Sequence, residues 1–122
     1  MFKRILTPTA TIDEGMVIRR SGLCYAEKIA LAEIDRVIAV VKDALTNEEI
    51  VVVFSDGIHD RVWLSEFDRN FSDVMSVLAR RLPGFVLPDG LAGAKAFDKA
   101  QRVLWERSRT PIVPPDADAS QP

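Results

Sequence analysis

The sequence predicts an α+β fold: an antiparallel sheet closed by one amphipathic helix, with a helical extension behind it. Three observations carry this. Between residues 16 and 64, short runs rich in β-branched and aromatic residues alternate with turn residues. At residue 70 the apolar spacing changes from that of a strand to that of a helix. The chain has 122 residues, enough for one domain with a sizeable core and too few for two comfortable ones.

The elements follow in order. In the mixed segment 1–14, Phe2, Ile5 and Leu6 are expected to form a short first strand, ended by Pro8. "MVIRR" (16–20), "SG" (21–22) and "LCY" (23–25) read as strand, turn and returning strand, because Gly tolerates the positive φ that such turns need. A short turn is expected at Leu31-Ala32-Glu33-Ile34. "RVIAVVK" (36–42) and "IVVVF" (50–54) are strands, joined by the polar segment 43–49. "SDGIHD" (55–60) is a loop and "RVWL" (61–64) the strand that returns from it.

Phe71, Val74, Met75, Leu78 and Leu82 share one helical face. Asn70 or Asp68 is expected to cap this helix by accepting a backbone N–H. Arg80 and Arg81 suit the negative end of its dipole, and Pro83-Gly84 stops it. Residues 85–90 link it to a second expected helix at 91–107, where Ala94, Phe97, Ala100 and Leu104 are roughly in phase. Gly90 and Gly93 weaken its start. The tail 108–122 is proline-rich with little apolar mass and is expected to be flexible.

The run "GMVIRRSGLCYAEKIALAEIDRVIAVV", then "EEIVVVFSDG", "RVWLSEFD" and the helix "FSDVMSVLARRL" resembles a small bacterial pleckstrin-homology-like (PH-like) domain. The resemblance covers about residues 15–85. It implies a hairpin leading into the turn at 31–34, three further antiparallel strands, and a curved half-barrel sheet closed at one end by the helix. It also implies one domain over 1–107 with its core at 15–85, and 108–122 as a tail. Two features depart from the family: about six strands are read against its seven, and 86–122 is an extension that the fold does not need. PH-like domains bind phosphoinositides, peptides or proteins, so the family alone leaves function open. The lipid-binding kind places several cations in its first hairpin. Here only Arg19, Arg20 and Lys28 stand near that position, a poor phosphate clamp.

Net charge is −2, against the basic excess expected of a nucleic-acid binder. The longest apolar runs are about five residues, where roughly 20 would span a bilayer. The N-terminus lacks an apolar stretch of signal length, and Cys24 is the one cysteine, so a cytoplasmic protein is expected. Cys24 is expected to be a small core residue. His59, the one histidine, stands close to Ser55, Asp56 and Asp60. A hydrolase could use such a set, with His59 as base. Asp56-Gly57 between two apolar runs is, however, a strong turn signal, and catalytic sets are assembled from distant parts of a chain. No catalytic residue, cofactor, metal or small-molecule substrate is inferred.

The two central strands carry the sharper functional signal. Val37, Ala39 and Val41 alternate with Ile38 and Val40, and Ile50, Val52 and Phe54 with Val51 and Val53. Both faces of this sheet are apolar, whereas a sheet with one wet face alternates apolar with polar. The second face therefore needs a cover: residues 86–107, the tail, or another protein. Trp63, with Arg61 on the same strand face, is an interface anchor, or core material packed against Trp105. The expected function is a non-enzymatic protein-binding or self-associating domain, using Trp63, Arg61, Ile38, Val40, Val51 and Val53. An immunity protein that neutralises a bacterial toxin by direct binding is the alternative.

Overall fold

The computed structural model describes residues 7–22, 25–43, 48–88 and 101–107. Strands β1 (Thr9–Asp13), β2 (Met16–Ser21) and β3 (Tyr25–Ala30) form one antiparallel sheet. A 3-10 turn, Leu31–Glu33, leads to β4 (Arg36–Asp43), β5 (Glu48–Ser55) and β6 (Asp60–Ser65). Helix α1 (Phe71–Arg81) and strand β7 (Gln101–Glu106) complete the order. The second sheet runs β6-β5-β4-β7, all antiparallel. The class is α+β, mostly antiparallel sheet with one helix, in two sheets that do not close into a barrel.

The hairpin, the turn at 31–34, the two apolar strands and the helix stand close to where local patterning placed them. The second hairpin strand starts at Tyr25 and runs on to Ala30, because Met16–Ser21 pairs along its whole length from Ala30 to Tyr25. A strand at Thr9–Asp13 follows Pro8, while Phe2, Ile5 and Leu6 lie outside the described residues, as does Cys24. The expected helix at 91–107 is corrected at its end: residues 101–106 form β7, which pairs with β4 through Val37↔Trp105 and Ile38↔Val103. Helical phasing at Leu104 lost to an open sheet edge, which fixes strand groups that a solvent-exposed helix would leave to water. A bulge at Val37/Ile38 lets both Leu104 and Trp105 turn inward.

The core lies between the sheets and under the helix. Ala10, Val17 and Ile29 from the first sheet meet Val37, Ala39, Val52, Phe54, Val62 and Leu64 from the second. Val74, Met75, Leu78 and Leu82 bring the predicted helix stripe onto them. Neither expected side chain caps this helix. Asn70 sits in the left-handed region (φ 67°) with no side-chain cap, and the Asp68 carboxylate is engaged elsewhere. The backbone C=O of Asp68 accepts the N–H of Phe71 instead, at 3.2 Å. Beyond Leu82, Gly84 takes φ 86°, which turns the chain back so that Phe85 re-enters the core. Among the described residues no helix is long and apolar enough to cross a membrane.

Candidate functional site

Asp56 to His59 form the loop that joins β5 to β6, between the paired Ser55 and Asp60. Asp56 organises it: one carboxylate oxygen accepts the N–H groups of Ile58 and His59, both at 2.8 Å, and the other accepts Arg61 at 2.9 Å. Ser55 Oγ accepts the N–H of Gly57 at 3.1 Å, and Gly57 takes φ 96° at the tip. The Ser55 and Asp56 side chains thus hold the turn, and His59 itself is exposed.

The His59 and Ile58 N–H groups, then the Arg61 guanidinium, hold the Asp56 carboxyl well below the usual carboxylate range. A carboxyl with a depressed folded pKa contributes stability that is present above its unfolded value and lost as pH falls through the folded one. Asp56→Asn keeps an oxygen for the two loop N–H groups but loses the charge. Its stability is expected to fall less than wild type between about pH 5 and pH 2, measured by urea unfolding across that range. Parallel wild-type and variant curves would refute the assignment.

Arg61 and Trp63 leave β6 on the same face. The Arg61 guanidinium joins three parts of the fold: Asp56 at 2.9 Å, the Lys28 carbonyl of β3 at 3.2 Å and Glu33 at 3.8 Å. One residue pair further, Glu27 of β3 accepts the backbone N–H of Trp63 at 3.0 Å. These bonds lace the β3 edge to the β6 edge through side chains rather than a strand ladder. Arg61 is therefore tied into the scaffold, which leaves the Trp63 ring as the group presented outward.

Trp63 is 46% exposed. It stands opposite Val53, Val53 opposite Ile38, and Ile38 opposite Val103. Four apolar residues, one per strand, thus form a row across the whole outer face. The row spans roughly 14 Å at the usual strand spacing. Val103 at its far end is also 46% exposed, while Ile38 is half-buried and Val53 buried. Val40 and Val51, opposite one another, thicken the row on one side. The place of Val103 in this row is not legible in the sequence, because the helical phase of Ala94, Phe97, Ala100 and Leu104 assigns its segment to a helix.

The structure separates the other candidates. Arg19 points to the inner side of its sheet, where its Nε and guanidinium NH2 reach Asp68 at 2.8 and 3.3 Å. The Asp68 bond raises the pKa of Arg19 above its ordinary value. Arg20 on β2 and Lys28 on β3 are on the opposite face of the same sheet, so the three cations do not converge. Trp105 lies at the other end of the second sheet from Trp63, its Nε1–H donating to the Pro83 carbonyl at 2.9 Å and Arg107 stacked 5.3 Å from its ring centre. The two tryptophans do not pack together. Among the described residues no three His, Cys, Asp or Glu side chains gather as a metal cluster would.

No protein-family model, curated protein or solved structure matches the chain.

Proposed function

We propose that the chain is a non-enzymatic interaction domain of PH-like type, which binds another protein through the outer face of its four-stranded sheet. The observation that carries this reading is the row Trp63–Val53–Ile38–Val103. Trp63 is exposed on a rigid strand, and tryptophan is a residue type enriched at binding hot spots; the row continues through buried Val53 and half-buried Ile38 to exposed Val103. The described C-terminal residues do not lie over this face: β7 widens the sheet edge-on and adds Val103 to the row. Two antiparallel sheets laced edge to edge, with a helix against one of them, also support the PH-like architecture and its curved half-barrel form.

The test compares captures by wild type and by Trp63→Glu from lysate of the source cells. Trp63→Glu is expected to remain folded, since the ring is exposed, and to lose the wild-type partner. Wild type that stays a monodisperse monomer and captures nothing, or a partner held equally by both proteins, would overturn the proposal.

A further inference from the structure

Among the described residues, strand β1 forms a ladder on one side only, with β2. At the start of its other side, the Ala10 N–H donates to the Arg69 carbonyl and the Arg69 N–H to the Pro8 carbonyl, both at 2.9 Å. This is a single isolated parallel bridge to the turn that precedes α1. Main-chain groups alternate in direction along an antiparallel strand. Since the Ala10 N–H turns away from β2, the Ala10 C=O and the N–H and C=O of Ile12 turn away as well. No described backbone group bonds these three.

They border a groove of about 510 Å³ between β1 and α1. Ala10 and Ile12 line one side, and Val74 and Val77 of the helix the other, with Asp73 at the end near Arg69, so that the groove is acidic at that end and basic at the other. Arg80 and Arg81 line the far end, about 15 Å along the helix from the Arg69 bridge. Both arginines are exposed, and neither is ion-paired among the described residues.

We propose that this groove takes an extended acidic segment of a partner protein as an added strand on β1. The Ile12 N–H and the two carbonyls supply the main-chain pairing. Alternate side chains of the segment fall on the half-buried Ile12 and Val77, and its acidic end meets Arg80 and Arg81. Strand addition draws affinity from main-chain hydrogen bonds and specificity from the pockets beside them. The groove belongs to the first sheet and the helix, so it does not depend on the Trp63 face.

A fluorescein-labelled hexapeptide with valine at alternate positions and two C-terminal aspartates tests this by fluorescence polarisation on the full chain. Saturable binding is expected, weakened about fivefold or more by Arg80→Ala/Arg81→Ala and by exchanging the aspartates for lysines. N-methylation of amides of one parity is expected to weaken binding about tenfold, and of the other parity to leave it unchanged, because only one set of N–H groups faces β1. Trp63→Glu should leave the affinity unchanged, which separates this proposal from the preceding one. Absence of saturation at about millimolar peptide, or equal effects of both N-methylation patterns, would overturn it. So would peptide-induced amide shifts confined to the Trp63 face rather than Ala10, Ile12 and Val77.

Discussion

Replacing Phe54 by alanine is expected to destabilise the protein by about 3–5 kcal/mol. Phe54 is the largest of the fully buried side chains and stands at the end of the central strand β5. It faces Val37 on β4 and Val62 on β6, all at zero exposure. Alanine there removes most of a ring from close-packed neighbours on two strands that cannot both move inward. Against a total stability of about 5–15 kcal/mol, that loss is large. The apparent Tm should drop by roughly 10–20 °C. Trp63→Ala is the matched control: an aromatic deletion of similar size on the outer face, expected to cost about 1 kcal/mol or less. Urea unfolding of both variants decides it. Equal losses would show that the outer face is as tightly packed as the core, and would remove the basis for an interaction surface there.

The second large effect is expected at Asp68. Its side chain is 2% exposed and makes three bonds: from Arg19 Nε at 2.8 Å, from Arg19 NH2 at 3.3 Å and from the Ser65 N–H at 2.9 Å. It joins β2, the end of β6 and the approach to α1. Asp68→Ala leaves a part-buried guanidinium, with Glu27 still 4.0 Å away, and the buried Ser65 N–H without that partner, at a cost of about 2 kcal/mol. Asp68→Asn keeps an acceptor for Ser65 and should cost less. A double-mutant cycle with Arg19→Met should give a coupling of at least about 1 kcal/mol. Additive single effects would mean that the pair is incidental to stability. Because Asp68 also holds the entry to α1, its loss should disturb the groove beside β1, visible as amide shifts at Ile12 and Val77.

Much of this molecule is legible locally. The strands at 36–42 and 50–54 are written in β-branched residues, and the helix stripe at 71–82 in a 3.6 spacing. The loop at 55–60 follows from Asp-Gly, whose role the Asp56 bonds to Ile58 and His59 make plain. These are interactions among near neighbours in the chain, and so the sequence displays them. The two-sided apolar character of β4 and β5 is legible too, in the alternation of Ile38 and Val40 with Val37 and Ala39 and of Val51 and Val53 with Val52 and Phe54.

Other features depend on distant partners. Nothing near Arg19 announces that it is engaged by Asp68, 49 positions away, rather than open to an anion. The segment 101–106 has a weak helical phase of its own, and becomes a strand only because β4 presents an unpaired edge to it. That pairing brings Val103 beside Ile38 and completes the row that ends at Trp63. Local periodicity thus determined which residues are apolar on which face of each strand or helix. Tertiary structure decided which edges meet and which charges are neutralised, because ladder bonds and ion pairs act at a few ångströms regardless of separation along the chain.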